Sequence, residues 1–225
     1  MKKILILIVL LLTIVSLQEV GYADNLFYFE ILEADTSFKE IGGEITLNNG
    51  FRLKGDYNFS RINQYSIGLD ISKANLSIMK DIFNTENLKG SLGIGYDYGS
   101  AHLSSTYFPE MEVTSKESGF NIGGQGEVKL DDKFSAFGEI NFSPRANFRS
   151  RIEGKEDKSI SNTNSKYFGK IGTKIKIADN LSGRVGYSFT RYKDKSNTSL
   201  LEDGEVEESL NNNQSGIFFG LETRF

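Results

Sequence analysis

The sequence contains one histidine, His102, and a serine follows it two residues later at Ser104. Residues two apart in a β-strand face the same side, so an imidazole at position 102 can accept the proton of a serine hydroxyl at position 104. Such a pair also needs a third group that fixes the tautomer of the imidazole. Glu110, Glu112 and Glu117 follow in the chain, but none combines the correct face with the correct height. The sequence therefore keeps His102 and Ser104 as catalytic candidates and favours a histidine without a catalytic role.

Other candidate binding motifs are glycine-rich or acidic, and each has a simpler structural explanation. The stretches GIGYDYG and GGQG look like phosphate-binding loops, but no helix follows either of them, so small residues in a crowded sheet explain them better. Five carboxylates between residues 202 and 208 are typical of a cation site or of a solvated loop, and the second interpretation is favoured. The chain has no cysteine, which excludes disulfides. The sequence predicts no cofactor and no metal ion.

The first 23 residues have the three-part layout of a secretory signal peptide. Two lysines precede an apolar run from Ile4 to about Leu17, and Gly21 and Ala23 provide a small-x-small cleavage motif. We therefore predict a signal peptide over residues 1–23 and one mature domain over residues 24–225. The apolar run is too short for a transmembrane helix, which needs about 20 residues. No second long apolar stretch follows it.

The mature chain is acidic. Removal of residues 1–23 takes away Lys2, Lys3 and Glu19, so the net charge moves from −4 to −5. A negative net charge argues against nucleic acid as a partner. About 200 mature residues are enough to bury a full core as a single domain.

After residue 23 the sequence alternates between apolar and polar residues, and helical periodicity is almost absent. In FRLKGDYNFSR, residues 51–61, one face carries Phe51, Leu53, Gly55, Tyr57 and Phe59, and the opposite face is polar or charged. The same alternation recurs in LKGSLGIGYDY, FNIGGQGEVKL, YFGKIGTKIKI and the final GIFFGLETRF. This period of two predicts β-strands with one apolar and one charged face.

Connections of two lengths separate the predicted strands. Tight turns are expected at residues 48–50, 84–87, 131–133 and 178–180, each with the Asn, Asp or Gly that hairpins require. Longer polar loops are expected near 108–116, 152–164 and 195–213, so all tight turns lie at one end of the sheet. Four hairpins and two end strands, near 25–33 and 215–225, give ten strands, with eight or twelve as alternatives. A bulge is expected where the apolar parity slips between Ile71 and Ala74.

The spacing of the aromatic residues indicates which medium the apolar face meets, because a soluble sandwich or a lipocalin-like barrel would show the same alternation. Here an apolar or aromatic residue just after a turn is followed, eight residues later on the same face, by an aromatic residue. Eight tilted residues rise about 19 Å, which fits inside the ~25 Å apolar band of a membrane barrel. The predicted aromatic girdle is Phe51, Phe59, Tyr96, Phe134, Phe142, Phe189 and Phe225.

Charges of both signs, in nearly equal numbers, occupy the opposite face of the strands. A barrel of eight to ten strands has a narrow interior, in which charges are partly desolvated and must pair. A solvated outer face would need no such balance. The charges predicted to line the interior are Glu40, Glu44, Arg52, Lys54, Asp56, Asp70, Lys89, Asp97, Glu127, Lys129, Glu139, Arg145, Lys170, Lys174, Lys176, Arg184, Glu222 and Arg224.

The chain ends on an alternating apolar run, whereas most chain ends are polar and frayed. Ile217, Phe219, Leu221, Thr223 and Phe225 share one face, and the last residue is aromatic. In a closed barrel the final strand must pair with the first, so that no unpaired backbone meets lipid. The predicted signal peptide, the asymmetry of turns and loops and this ending resemble those of the small outer-membrane β-barrels of Gram-negative-type bacteria.

The resemblance implies an all-β fold, a closed antiparallel up-and-down transmembrane β-barrel, exported to the periplasm and inserted into the outer membrane. In that family the barrel-assembly machinery reads a terminal Phe with apolar residues at alternate positions before it. Ile217, Phe219, Leu221 and Phe225 are therefore the expected assembly signal. Outer-membrane lipid and lipopolysaccharide are the other expected partners, and no extracellular ligand is indicated.

Two kinds of outer-membrane enzyme bear on the candidate catalytic residues. Lipid hydrolases of the phospholipase A and lipid A deacylase types use a His-x-Ser pair on the lipid-facing side near the outer rim, and His102 and Ser104 share the face of Tyr96. Outer-membrane proteases use clustered aspartates with a histidine, but here only Asp97 is near His102 and the two differ in parity. We therefore expect a non-enzymatic barrel with a charge-filled interior and a structural or surface-interaction role. A narrow porin-like channel and a lipid hydrolase are the alternatives.

Overall fold

The described residues of the computed structural model are 25–33, 37–64, 67–105, 112–153, 158–194 and 214–225. They form ten strands: β1 (Leu26–Glu33), β2 (Phe38–Thr46), β3 (Phe51–Gln64), β4 (Ile67–Asn84), β5 (Leu88–Ser105), β6 (Glu112–Lys129), β7 (Phe134–Glu153), β8 (Lys158–Ala178), β9 (Leu181–Asp194) and β10 (Gln214–Arg224). The predicted signal peptide and the acidic stretch 202–208 lie outside the described residues. Within them, no helix is long and apolar enough to cross a membrane.

The ten strands close into a barrel. Each strand pairs antiparallel with its neighbours in sequence, and β1 also pairs with β10. At the seam, the amide of Asn25 donates to the carbonyl of Phe225 at 3.2 Å, and the amide of Phe225 donates to the carbonyl of Asn25 at 3.0 Å. The predicted closed up-and-down barrel of ten strands is confirmed, and the alternatives of eight and twelve strands are wrong.

The four tight turns all lie at one end of the barrel, called the turn end below. They join β2 to β3, β4 to β5, β6 to β7 and β8 to β9. In the first turn, Asn49 and Gly50 have φ values of 64° and 70°, a left-handed conformation that these two residue types adopt readily. In the third, the Asp131 carboxylate accepts hydrogen bonds from the amides of Lys133 and Phe134. The local sequence thus determines where the hairpins form.

The strands at the opposite, outer end are longer than the sequence suggested. Residues 112–116 belong to β6, and residues 152–153 and 158–164 belong to β7 and β8. The prediction of loops at these residues was wrong because a strand requires only paired backbone groups, and its polar side chains are satisfied by water. β7 and β8 contain 20 and 21 residues, about twice the 9–11 residues that cross a bilayer. The third predicted loop, 195–213, lies outside the described residues.

The bulge expected between Ile71 and Ala74 does not occur. β3 and β4 pair without interruption from Phe51 opposite Lys80 to Gln64 opposite Ile67. Ile71 faces inward and lies beyond the apolar zone of the barrel, where outward residues need not be apolar. The change of apolar residues from one face to the other between Ile71 and Ala74 therefore needs no bulge. Irregular pairing is found instead at Asp81/Phe83, Ser118/Ile122, Ser143/Ala146 and Lys176/Ala178.

Glycines on the inner face make room for aromatic rings in the narrow interior. The ring of Tyr28 covers Gly42, and the ring of Phe218 lies against Gly186. A Cβ at Gly186 would overlap a backbone carbonyl oxygen of β8 and would lie 2.7 Å from the Phe218 ring. Phe218 is 1% exposed, and its ring centroid lies 6.0 Å from that of Phe137. The interior is therefore packed with side chains and contains no room for an added methyl group at Gly186.

We expect Gly186→Ala to destabilise the barrel by about 1–3 kcal/mol, because the added methyl group overpacks the interior. Gly183→Ala is the matched control, since Gly183 faces outward on the same strand and its added Cβ meets no atom closer than 3.6 Å. The measurement is urea-induced unfolding in detergent micelles, followed by the shift in gel mobility between folded and heated protein. Equal stability of the two variants would contradict the packing described here.

Candidate functional site

A buried network of ion pairs fills the inner face of the barrel. At its centre, the ammonium of Lys170 on β8 lies 2.7 Å from the Glu30 carboxylate on β1 and 2.9 Å from the Glu40 carboxylate on β2. Arg184 approaches the second oxygen of Glu30 at 2.9 Å. The side chains of Lys170 and Glu30 are 3% and 1% exposed. Charges this deeply buried are tolerated only where partners offset the loss of hydration.

The same network continues toward the turn end through two shared carboxylates. Lys174 lies 2.7 Å from Glu127 and 2.9 Å from Glu222, and Arg224 lies 3.2 Å from both carboxylates. Arg184 approaches Glu222 at 3.6 Å and so connects this group to Glu30. Four cations and four anions thus form one network, called the central network below: Lys170, Lys174, Arg184, Arg224, Glu30, Glu40, Glu127 and Glu222.

Two smaller groups, based on β3, reach other parts of the wall. The guanidinium of Arg52 lies 2.6 Å from Glu44 on β2 and 2.9 Å from Asp81 on β4. Lys54 lies 2.5 Å from Glu139 on β7, four strands away. The Lys54–Glu139 pair therefore crosses the interior and holds two distant parts of the wall together.

The outer half of the interior contains a further group. Lys166 on β8 lies 3.3 Å from Asp97 on β5 and 3.0 Å from Glu117 on β6. The hydroxyl of Tyr192 on β9 donates to Glu117 at 3.0 Å, and the ammonium of Lys73 on β4 donates to that hydroxyl at 3.4 Å. β4 and β9 are five strands apart in a barrel of ten, so this contact also joins opposite walls.

Two small cavities lie inside the barrel among the described residues. One, of about 120 Å³, lies in the half nearer the turns and is lined by Glu44, Arg52 and Lys174 among others. The second, of about 90 Å³, lies in the outer half and is lined by Lys73 and Asp97 among others. Glu139 and its partner Lys54 lie between the two. Glu139 lines both cavities, so its bond to Lys54 lies where the two halves of the interior meet.

Most of the charges predicted for the interior lie on inward-facing positions, as the alternation of burial along the strands shows. Three of them, Lys89, Lys129 and Lys176, are at the rim of the turn end, where they line a wider vestibule. Lys129 and Lys176 lie 2.9 Å from the turn carboxylates Asp132 and Asp179. The hydrogen bond that each lysine donates lowers the pKa of the carboxyl group it contacts.

Two of the predicted interior charges, Asp70 and Arg145, face outward, and these predictions were wrong. Irregular pairing between Ser143 and Ala146 turns Ala146 inward and leaves Arg145 exposed on the outer side. Asp70 lies in the outer part of β4, where the apolar parity has already slipped. Its carboxylate accepts two hydrogen bonds from Arg61, at 2.6 and 3.1 Å, and their side chains are 49% and 72% exposed.

Several interior residues were not identified from the sequence: Tyr28, Glu30, Lys73, Asp81, Glu117, Lys166 and Tyr192. Glu30 had a detectable signal, because it alternates with the apolar residues Phe29 and Ile31 on β1. Tyr28 lies between two other aromatic residues, so the alternation does not mark it, and the remaining residues lie close to a turn or in polar stretches of the outer end, where alternation is weak.

The outward face of the barrel carries an apolar belt. Its middle contains isoleucines that are largely exposed, among them Ile94, Ile122, Ile140 and Ile171. Water-soluble proteins do not expose apolar surface continuously around their circumference. The belt is therefore a surface for lipid.

Aromatic residues lie near both edges of the belt. Of the predicted girdle, Phe51, Phe134 and Phe225 lie next to the turn end, and Phe59, Tyr96, Phe142 and Phe189 lie farther toward the outer end. Phe120 and Tyr167, which are not in the predicted girdle, extend the outer row: the Tyr96 and Phe120 centroids are 5.2 Å apart, and those of Phe142 and Tyr167 are 4.8 Å apart.

His102 and Ser104 both face outward on β5, but no hydrogen bond joins them within the described residues. The Nδ1 atom of His102 lies 3.4 Å from the hydroxyl of Thr114. Glu117, one of the carboxylates considered for this site, points inward to Lys166. Asp70 on β4 is the cross-strand neighbour of His102, and its carboxylate is held by Arg61.

The other candidate chemistries lack the required geometry. Asp97 points into the interior and His102 points outward, so the two do not meet. In the described part of the chain, no group of three or more His, Asp or Glu side chains is arranged to hold a metal ion.

Comparisons with known proteins establish the fold. No protein-family model matches the chain, and no curated protein is significantly similar in sequence. The outer membrane protease OmpT from Escherichia coli is similar in structure, with a TM-score of 0.59, 11% identity and coverage of 91% of this chain and 94% of that chain. A major outer membrane protein from Thermus thermophilus aligns with a TM-score of 0.42 and 11% identity over 90% and 99% of the two chains. The KdgM porin aligns with a TM-score of 0.40 and 8% identity over 89% and 99%.

The chain therefore has the fold of a bacterial outer-membrane β-barrel, and its apolar belt is the surface of an integral membrane protein. At these identities the likeness extends to the fold alone and carries no information about activity.

The belt predicts a depth-dependent cost for a charge. Ile171 lies midway between the two aromatic edges and Ile177 lies beside a turn, both outward on β8 and 66% and 60% exposed. We expect Ile171→Arg to destabilise the barrel in phospholipid bilayers by about 2–4 kcal/mol and Ile177→Arg by about 0–1 kcal/mol. Reversible folding into bilayers under urea measures both values. Equal, small costs at the two positions would show that water and not lipid covers the belt.

Proposed function

We propose that this outer-membrane barrel is a closed, non-enzymatic protein with a structural or surface-interaction role in the membrane. The observation that carries the proposal is the pairing of charges across the interior. Lys54 bonds to Glu139 four strands away, and Lys73 contacts Tyr192 on the opposite wall. Oppositely charged neighbours at several heights cross-link the walls, whereas a channel needs a continuous path of water.

The route to the membrane follows from the sequence. We infer export by a signal peptide over residues 1–23, followed by insertion of the domain over residues 24–225. The outward residues Ile217, Phe219, Leu221 and Phe225 of the closing strand are the proposed signal for the barrel-assembly machinery. Support comes from the seam, because β10 pairs along all of β1 and holds the terminal Phe225 at the edge of the belt. Phospholipid and lipopolysaccharide are the proposed lipid partners.

Conductance distinguishes a closed barrel from the narrow pore that is the alternative. We expect no steady single-channel steps for the purified protein in planar bilayers at neutral pH. The double variant Lys54→Ala, Glu139→Ala removes the bond across the interior without changing the net charge, and we expect it to produce measurable steps. Lys176→Ala, Asp179→Ala is the matched control, since it removes an equally neutral pair at the exposed rim. Steady steps for the unmodified protein would establish the pore and reject the closed interior.

A second candidate function is the hydrolysis of membrane lipids, and one observation favours it. Asp70 lies directly opposite His102 in the pairing of β4 and β5, and Ser104 follows on the same outward face. An outward carboxylate, imidazole and hydroxyl at one edge of the belt are the groups that nucleophilic hydrolysis requires. Against it, Arg61 occupies both oxygens of Asp70.

Turnover of phospholipid in mixed micelles tests this candidate. Hydrolysis by this site predicts that His102→Ala and Ser104→Ala both abolish turnover, while Ser100→Ala on the same outward face leaves it unchanged. Ser100 is a suitable control because its hydroxyl bonds only to that of Ser72 in the described part of the chain. Equal turnover by all four proteins would remove the hydrolase from consideration.

A further inference from the structure

The outward face of β6–β9 carries a group of exposed cations beyond the outer aromatic edge of the belt. The five residues, called the basic patch below, are Lys116, Arg145, Arg149, Arg191 and Lys193. Within the described residues, none of the five forms an ion pair. This separates the patch from interior cations such as Lys170 and Lys174, each of which lies within 3 Å of two carboxylates.

Two members of the patch are held against each other. Lys116 on β6 lies directly opposite Arg149 on β7, and both side chains face outward. Directly opposed positions in an antiparallel pair place Cβ atoms about 5 Å apart, and like charges there destabilise the sheet. An anion bound between the two cations would remove the repulsion.

A bulge adds a third cation to the patch. The irregular pairing between Ser143 and Ala146 turns Arg145 outward, against the parity of the preceding part of β7. Next to it, the hydroxyl of Ser165 donates to the carbonyl oxygen of Pro144 at 3.3 Å, and Lys193 lies opposite Ser165. Arg145 on β7 and Lys193 on β9 therefore lie on the two sides of Ser165, which is on the strand between them, β8.

The patch is continuous with the apolar belt. Arg191 lies opposite Tyr167, whose ring centroid is 4.8 Å from that of Phe142. Arg191 is two residues beyond Phe189, and Lys116 is four residues beyond Phe120, so the cations lie about 5–10 Å outside the aromatic edge. This is where the phosphate groups of a lipid lie when its acyl chains cover the belt.

The other side of the barrel does not have this arrangement. On β2–β4 the outward charges of the same zone are Lys39, Arg61 and Asp70, and Arg61 is bonded to Asp70. Among the described residues, the excess of positive charge is therefore confined to one side of the outer zone.

We propose that the basic patch binds the phosphate groups of an outer-leaflet glycolipid of the lipopolysaccharide class, whose acyl chains lie on the belt below. Arginine forms paired hydrogen bonds with phosphate oxygens, and the charges of the two partners are complementary. The proposal rests on the membrane location given above and names the lipid site on that surface. A soluble polyanion could bind the same cations, but it has no acyl chains to contact the adjoining aromatic rings.

Native mass spectrometry of the detergent-solubilised barrel measures the binding of lipid A directly. The probes are bis-phosphorylated lipid A, the same lipid without phosphates, and a short polyphosphate. The variants are Arg145→Gln, Arg191→Gln and, separately, Lys116→Gln, Arg149→Gln. The matched control is Lys39→Gln, Arg61→Gln, which removes two outward cations from the opposite side. Heat-modifiable gel mobility verifies that every variant is folded.

We expect each patch variant to bind bis-phosphorylated lipid A about tenfold more weakly than the unmodified protein, with the control unchanged within about twofold. Dephosphorylated lipid should bind weakly to all of them. Equal affinity of the patch variants and the unmodified protein would overturn the proposal, and so would an equal loss in the control. Polyphosphate binding as tight as lipid binding would overturn it too, by assigning the patch to a soluble polyanion. If the barrel is folded and does not conduct, but binds lipid with and without phosphates equally, the proposed lipid site is wrong and the proposed closed barrel is unaffected.

Discussion

Backbone amides and carbonyls have no water to bond with inside a bilayer, and each unpaired group there costs several kcal/mol. This single constraint accounts for the architecture of the protein. Ten strands pair with their neighbours, and β1 pairs with β10 along its length, so the described strands leave no open edge at the depth of the belt. The outward side chains then meet lipid and form the apolar belt, and every charged residue at the depth of the belt has to turn inward.

A ten-stranded barrel has little interior space, and the inward charges determine how it is filled. The central network contains equal numbers of cations and anions, so its members offset one another's loss of hydration. Aromatic rings such as Phe218 occupy the space that inward glycines leave free. Packing and pairing therefore act together: the rings fill the apolar space, and each charge of the central network has a partner of opposite sign. The interior is therefore filled largely by side chains, while the outer surface carries the apolar belt.

The regularity of this constraint explains how much the sequence could predict. The strand number, the turn positions and the closure followed from alternation and from turn residues, because these signals are local. Arg145 was predicted on the wrong face because a bulge shifts the inward–outward alternation without changing the hydrophobic pattern of the sequence. Asp70 was predicted on the wrong face because, outside the bilayer, outward residues need not be apolar. Which anion meets which cation was also beyond the sequence, since Lys54 and Glu139 are 85 residues apart and their contact depends on the curvature of the whole sheet. The basic patch could not be predicted from the sequence for a related reason, because its members come from three strands and lie close together only in the folded barrel.

The stability of the barrel depends on lipid as the medium that covers its outer face. Refolding of the purified chain over residues 24–225 from urea, with and without detergent micelles, tests this most directly, with circular dichroism and sedimentation as the readout. We expect β-structure and a monodisperse monomer with micelles, and aggregation without them. A folded, monomeric chain in plain buffer would contradict the account, because it would mean that water tolerates the belt.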